Sequence, residues 1–151
     1  MKILGSDYDG TLNHGGITDE KIGRVTKWQE RGNKFGIITG RGADHREYLL
    51  RKFPNFKIDF LAACNGGYIV NESGEVIFDS RCDCVPVQML ASDLFEWGCD
   101  EVYVEWTRAS IIWPEHDSDI TSNEEYNFYS LETSSSIDYF NQASIQMSTD
   151  E

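Results

Sequence analysis

The segment Lys2–Thr11 reads KILGSDYDGT, an apolar run that leads into two aspartates, Asp7 and Asp9, followed by Gly10. The apolar run is typical of a buried β-strand. Two carboxylates this close together oppose joint ionisation unless a cation or a proton compensates their charge. Open α/β sheets bind ligands at the carboxyl ends of their strands. The segment therefore predicts a metal and phosphate site at the end of a first strand.

Three other kinds of loop are alternatives for the segment that contains Asp7, Asp9 and Gly10. An Asp-Gly pair also forms hairpin turns, and this alternative stays open, although residues 14–16 are a poor start for a returning strand. A calcium-binding loop is excluded because Leu12 and Thr18 stand where its glycine and its closing glutamate belong. A phosphate-binding P-loop is excluded because Thr11 stands where that loop requires lysine.

The first 79 residues alternate between strand and helix patterns. Thr18 is a predicted helix cap, and Gly32 is the predicted stop of that helix. Such alternation indicates an α/β fold with a parallel sheet. The other predicted elements are strands over 2–6, 34–39 and 60–64, a helix over 44–53, and a hairpin over 68–78.

The composition changes near residue 80. Residues 1–79 contain eleven Lys and Arg against eleven Asp and Glu, whereas residues 80–151 contain two against fifteen. The second part therefore carries the entire net charge of −13. We predict two domains with this boundary, the second of α+β type. Its predicted elements are a helix over 87–97, an antiparallel pair over 101–106 and 109–113, and a strand over 143–147.

Charge and hydropathy restrict the partners. An acidic chain is a poor partner for nucleic acid, because phosphate backbones attract basic surfaces. No apolar run approaches the ~20 residues of a membrane helix, and Asp7 interrupts any signal-peptide core. The four cysteines do not form the disulfide framework of a secreted domain. We expect a cytoplasmic protein with reduced thiols and no nucleic-acid or membrane partner; the oligomeric state stays open.

Three predicted strands end in polar or glycine-rich loops. These loops are Asp7–Gly10, Thr39–Arg41 and Asn65–Gly67. Because parallel strands end at the same edge of a sheet, we expect the three loops to converge. A hydroxyl and adjacent backbone N–H groups can hold phosphoryl oxygens without adding charge. Each loop alone is more often a plain turn, so the specific signal is their placement at successive strand ends.

The motifs DYDGT at 7–11, ITGR at 38–41 and CNGG at 64–67 resemble those of the haloacid dehalogenase (HAD) superfamily. Within it they are most similar to the Cof-like sugar-phosphatase branch. The resemblance implies a Rossmann-like core with an inserted α+β cap. Residues 1–79 correspond to the first half of the core and residues 80–151 to an incomplete cap.

The resemblance also implies roles for single residues. Asp7 corresponds to a nucleophile that becomes an aspartyl-phosphate, and Asp9 to the acid and base that serves the leaving group and then water. The Asp7 carboxylate and the Asp9 carbonyl are the implied Mg²⁺ ligands. The implied substrate is a small phosphorylated metabolite such as a sugar phosphate. The implied phosphate-binding residues are Gly10, Thr39, Gly40, Arg41 and Asn65; Arg41 could equally pair with an acidic neighbour.

Two parts of the family site have no counterpart here. One is a lysine, and this sequence has none after Lys57. The other is a Gly-Asp segment, and there is no glycine after Gly98. Residues 148–151 also resemble the start of a helix. We therefore expect a truncated chain with impaired activity; a non-catalytic phosphate-binding remnant and a phosphosugar mutase are the alternatives.

Two further expectations concern residues outside the motifs. His14 and His45 lie in a predicted loop and helix and could approach the site, but a position on the solvated surface is the preferred prediction. Ten of the nineteen aromatic residues lie between Phe95 and Phe140, and they are predicted to fill the core of the second domain rather than to bind a ring of a ligand.

Overall fold

The computed structural model contains two compact units, Met1–Asp79 and Ser80–Glu151. Both combine helices with β-sheet, so the predicted α/β class is confirmed. The strand predicted over 101–106 and the helix start predicted at 148–151 lie partly outside the described residues. The structure describes residues 1–83, 85–105, 109–115, 123 and 126–148.

The first unit contains a five-stranded sheet with the strand order β1-β2-β3-β4-β5. β1, β2 and β3 are parallel, and β4 and β5 form the predicted antiparallel hairpin. The strands are β1 (Ile3–Asp7), β2 (Lys34–Ile38), β3 (Phe60–Ala63), β4 (Tyr68–Asn71) and β5 (Val76–Asp79), and the helices are α1 (Asp19–Glu30) and α2 (His45–Lys52).

Helix α1 begins where its sequence predicts. The Thr18 hydroxyl oxygen accepts a hydrogen bond from the backbone N–H of Lys21, 3.3 Å away, and acidic residues fill the first turn. The Lys21 ammonium donates to the backbone carbonyls of Leu12, His14 and Gly16 at 2.6–2.8 Å. The start of α1 therefore also holds the loop that follows the two aspartates.

The core of the first unit lies on one face of its sheet. Phe35, Ile37 and Leu61 of the strands pack in one buried cluster with Val25 of α1 and Leu49 of α2. β1 lies at the edge of the sheet, and its Ile3 side chain is 66% exposed. The prediction that β1 is buried is therefore wrong, because an edge strand has a sheet neighbour on one side only.

The second unit contains a four-stranded sheet with the order β8-β7-β6-β9. The parallel pair is β7 with β8; the neighbours of β6 are both antiparallel to it. Alternate residues Val102, Val104 and Ile112 pack with Val87 and Ala91 of the helix. The elements are α3 (Val87–Glu96), β6 (Glu101–Glu105), β7 (Ala109–Trp113), β8 (Asn127–Ser130) and β9 (Gln142–Gln146).

The aromatic residues of the second unit occupy different environments. Phe95, Tyr129 and Phe140 pack against the core, as predicted. Trp97 is 75% exposed, whereas Trp113 stacks on Phe128 with ring centroids 5.2 Å apart, outside that core cluster. The expectation that the aromatic residues fill the core is therefore correct only in part, because successive strand residues point to opposite faces.

The helices of both units are short. The longest one described is α1, which has 12 residues. Within the described ranges, no helix is both long and apolar enough to cross a membrane.

Gly36 provides a test of the packing on the sheet. A Cβ atom at Gly36 would lie 2.4 Å from the Phe60 ring, so Gly36→Ala forces that ring to move. We expect a loss of about 1–3 kcal/mol in the free energy of unfolding, measured by urea denaturation. Gly23→Ala in α1 is the control, because a Cβ there meets nothing within 4 Å. It should stabilise by about 0.5–1 kcal/mol; equal effects of the two substitutions would contradict the packing described.

Candidate active site

Tyr8 separates the two aspartates and fixes their positions. β1 ends at Asp7, and the Tyr8 side chain turns into the core, where it is 1% exposed. Asp7 and Asp9 are both exposed. Gly10 follows with a φ of +71°, a left-handed conformation that suits glycine. The backbone carbonyl of Tyr8 accepts a hydrogen bond from the N–H of Asn13 at 2.8 Å.

The first and second loops meet through an ion pair. The Arg41 guanidinium donates two hydrogen bonds to the Asp9 carboxylate, Nε to Oδ2 and Nη2 to Oδ1, each 2.8 Å. The same guanidinium lies over the Tyr8 ring, 5.2 Å from its centroid. The hydrogen bonds from Arg41 hold the pKa of Asp9 below its usual range. Pairs this exposed typically contribute less than about 1 kcal/mol to stability, so this one orients side chains more than it stabilises the fold.

The second and third loops are joined through their backbones. The carbonyl of Thr39 accepts from the N–H of Asn65 at 2.9 Å, and the carbonyl of Arg41 accepts from the N–H of Cys64 at 2.8 Å. The Thr39 side chain is 3% exposed, and its hydroxyl oxygen accepts from the N–H of Arg41 at 3.2 Å. A Cβ atom at Gly40 would lie 3.4 Å from the Asn65 side-chain oxygen. The three predicted loops therefore converge at one edge of the sheet.

Cys64 and Asn65 adopt an unusual backbone. Both have positive φ, 49° and 52°, within a short turn that directly follows β3. Asparagine tolerates this conformation, whereas cysteine rarely adopts it. Non-glycine residues with such angles concentrate at functional sites. Both residues belong to the motif CNGG at 64–67, but only Asn65 was predicted to take part in the site.

His45 is the residue that the sequence analysis placed wrongly. It is 3% exposed, not on the solvated surface. Its ring packs edge-on against Tyr8, with centroids 4.3 Å apart, and stacks on Tyr48 at 5.3 Å. Burial, and next the positive charge of Arg41, lower the pKa of His45 to about 4. The first helical turn of α2 therefore places an uncharged ring behind the aspartate loop.

Asp7 occupies the position expected of it in the sheet. It lies opposite Ile38 in the parallel register, one residue before Thr39. No ion pair to its carboxylate is present among the described residues. No group of three or more potential His, Cys, Asp or Glu ligands occurs in the described part of the chain either. The oxygen donors of Asp7 and Asp9 nevertheless suit Mg²⁺, which keeps several waters and commonly takes one or two carboxylates.

A cavity of about 610 Å³ lies elsewhere in the first unit. Its lining includes Lys34, the first residue of β2, and Asp59, which directly precedes β3. The Lys34 ammonium lies 2.6 Å from the Asp59 carboxylate and 3.2 Å from that of Glu72. These contacts hold the starts of the strands together. The cavity therefore lies at the amino ends of β2 and β3, whereas the three converging loops lie at the carboxyl ends of the parallel strands.

Comparison with known families identifies the chain. Residues 4–150 match the model of the haloacid dehalogenase-like hydrolases. The chain belongs to this family. The match confirms the family resemblance inferred from the motifs. No curated protein matches the sequence.

Solved structures share the fold over much of the chain. The sugar phosphatase BT4131, of HAD subclass IIB, is 24% identical with a TM-score of 0.64 over 92% of this chain. A HAD/COF-like hydrolase from Plasmodium vivax is 18% identical with a TM-score of 0.69 over 97%. The phosphatase BT1666 from Bacteroides thetaiotaomicron is 24% identical with a TM-score of 0.57 over 78%. The chain spans 56%, 56% and 43% of these three proteins, respectively.

The buried state of His45 predicts acid sensitivity. The unfolded chain binds a proton to this ring between pH ~6.5 and about 4, whereas the folded chain does not. Stability should therefore fall as the pH drops through this window, by a total on the order of 3 kcal/mol. His45→Phe keeps an aromatic ring against Tyr8 but cannot titrate, so its free energy of unfolding should change less between pH 7 and pH 5.

Urea denaturation at several pH values measures this difference. His14→Gln, at an exposed position, is the control and should keep the pH dependence of the unmodified chain. An identical loss of stability in His45→Phe and the unmodified chain would show that His45 is not the titrating group.

Proposed function

We propose that this chain carries the phosphoryl-transfer site of a Mg²⁺-dependent phosphomonoester hydrolase. The reaction passes through an aspartyl-phosphate, and the substrate is a small phosphorylated metabolite such as a sugar phosphate. The observation that supports this most is the convergence of three loops at one sheet edge, through the Asp9–Arg41 ion pair and the Thr39–Asn65 hydrogen bond.

In the proposed reaction, a carboxylate oxygen of Asp7 attacks phosphorus and the bond to the leaving oxygen breaks. Asp9 enters this reaction in its protonated form, gives that proton to the leaving oxygen, and then takes a proton from water as the water attacks phosphorus. The bond to Asp7 breaks in this second step, which releases inorganic phosphate and regenerates the carboxylate. An acidic residue at position 9 suits these two reaction steps, because the leaving alkoxide needs a proton.

The charge of the substrate requires compensation. The Asp7 carboxylate and the Asp9 carbonyl would hold Mg²⁺, and the ion would supply positive charge that offsets the repulsion between the nucleophile and the anionic substrate. The hydroxyl of Thr39 and the amides of Gly10 and Gly40 are proposed to hold phosphoryl oxygens. Arg41 and Asn65 complete the proposed phosphate site from the second and third loops.

The two units have separate proposed roles. Met1–Asp79 corresponds to the first half of a HAD core, and Ser80–Glu151 to cap structure. The second unit is strongly acidic, which disfavours polyanionic substrates and favours a metabolite with a single phosphate. BT4131 is a sugar phosphatase; this supports a sugar phosphate as the substrate class.

A phosphate-binding protein without turnover is the second candidate. It is favoured by the absence of any lysine after Lys57 and of any glycine after Gly98. These residue types carry the remaining parts of the family site, and losing one preorganised electrostatic group costs roughly 3 kcal/mol of transition-state stabilisation. We therefore propose that turnover by this chain is slow. A phosphosugar mutase would use the same Asp7 chemistry.

Hydrolysis of an aryl phosphate with Mg²⁺ tests the proposal. We expect slow, Mg²⁺-dependent release of phosphate that falls by roughly a thousandfold or more in Asp7→Asn, which removes the nucleophile. Asp19→Asn, an exposed carboxylate at the start of α1, is the matched control and should leave the rate unchanged.

The alternatives give different results. Binding of inorganic phosphate without any turnover would favour the phosphate-binding protein. Turnover that persists in Asp7→Asn would contradict the proposed nucleophile. With a sugar monophosphate, free phosphate as product indicates a hydrolase, whereas an isomeric sugar phosphate indicates a mutase.

A further inference from the structure

We propose that Arg41 exchanges partners when phosphate binds: its guanidinium leaves the Asp9 carboxylate for the phosphoryl oxygens and releases Asp9 for its work on the leaving group. This rests on the proposed function. It adds a positioning role for Arg41: its side chain has one arrangement in which it pairs with Asp9 and another in which it pairs with the phosphoryl oxygens.

The present geometry opposes acid and base work by Asp9. Both carboxylate oxygens of Asp9 accept hydrogen bonds from Arg41, each 2.8 Å long. A carboxylate held on both oxygens by a guanidinium has no free oxygen on that side to carry or accept a transferred proton. Opening the pair, at least at one oxygen, would therefore free Asp9 to serve a leaving group.

The surroundings of Arg41 permit such a movement. The side chains of Arg41 and Asp9 are 41% and 52% exposed, so opening the pair requires no rearrangement of the core. The guanidinium rests on the Tyr8 ring, 5.2 Å from its centroid, and that ring is itself buried against His45. The ring is therefore held in place by the core and does not need to move when the guanidinium does.

The backbone of Arg41 stays in place during the exchange. Its N–H donates to the Thr39 hydroxyl at 3.2 Å, and its carbonyl accepts from the N–H of Cys64 at 2.8 Å. Only the side chain needs to rotate. It pivots at the loop that contains Thr39 and Gly40, where the phosphate site is proposed.

Phosphate is a strong competitor for this side chain. A guanidinium has five N–H donors, of which two contact Asp9. Guanidinium and phosphate form bidentate, charge-assisted hydrogen bonds, and a phosphate dianion carries twice the charge of the carboxylate. A bound phosphoryl group can therefore first take the outer donors of Arg41 and then draw the whole group away from Asp9.

NMR titration of the isotope-labelled 151-residue chain with inorganic phosphate, without Mg²⁺ and at pH 7.5, tests the exchange. The amide of Gly40 reports phosphate binding, the Arg41 Nε–H reports the guanidinium, and the Asp9 carboxyl carbon reports release. We expect all three signals to move with the same midpoint. Sodium chloride at equal ionic strength is the reference for screening of the ion pair.

Variants separate the role of Arg41 from general loss of charge. Arg41→Gln should weaken phosphate binding about tenfold and abolish the response of Asp9. Arg41→Lys keeps the charge without the bidentate fork, so its Asp9 signal should move less. Arg46→Gln is the matched control: Arg46 donates to the Glu72 carbonyl, away from the three loops, and phosphate binding should stay unchanged.

The outcomes distinguish this proposal from the proposed function. If the Gly40 amide responds to phosphate while the Arg41 and Asp9 signals stay fixed, the exchange is refuted and the phosphate site stands. If neither Gly40 nor Thr39 responds at any phosphate concentration, the phosphate site itself is refuted, and the exchange with it.

Discussion

Parallel hydrogen bonding among three neighbouring strands is the constraint on which the candidate site depends. β1 pairs with β2 so that Asp7 lies opposite Ile38, and β2 pairs with β3 so that Ile38 lies opposite Ala62. The carboxyl ends of the three strands therefore lie side by side at the same end of the sheet. A shift of one residue in either pairing would turn the side chains to the opposite face. The register thus decides which side chains of the three loops can meet.

Backbone contacts and side-chain contacts have different roles at this edge. The loops are held by backbone hydrogen bonds, such as that from Asn65 to Thr39, and by the Lys21 ammonium on three carbonyls. The groups proposed for chemistry stay at the surface, where Asp9 pairs with Arg41 and Asp7 has no ion pair among the described residues. In the proposed phosphoryl transfer, this frame would position the charged groups, and Arg41 and Asp9 would change partners as the substrate binds.

Buried aromatic rings support the loop that carries Asp7 and Asp9. Tyr8 is buried between the two exposed aspartates, and His45 and Tyr48 continue the stack into the first unit. Burial raises the pKa of Tyr8 to about 12 and lowers that of His45 to about 4. Both groups are therefore uncharged at neutral pH. The aromatic rings packed behind the aspartates therefore support the loop without adding charge to the proposed phosphate site.

The sequence alone determined the order of helices and strands in the first unit and the residues of the three loops, because both depend on local signals. The alternation of strand and helix is visible in hydrophobic spacing, and Thr18 and Gly32 mark the ends of α1. The motifs at Asp7, Thr39 and Asn65 are contiguous residues with a fixed chemical character. Their family could therefore be inferred from the residues, and the family model confirms it.

Tertiary structure alone decided burial and partners. Hydrophobic residues in β1 suggested a buried strand, but exposure depends on which strands and helices pack beside it, and β1 is at an edge. His45 is buried because α2 packs its first turn against Tyr8, 37 positions earlier in the sequence. Arg41 pairs with Asp9 across 32 positions. Contacts between residues this distant in sequence arise from strand register and helix packing, which no local pattern encodes.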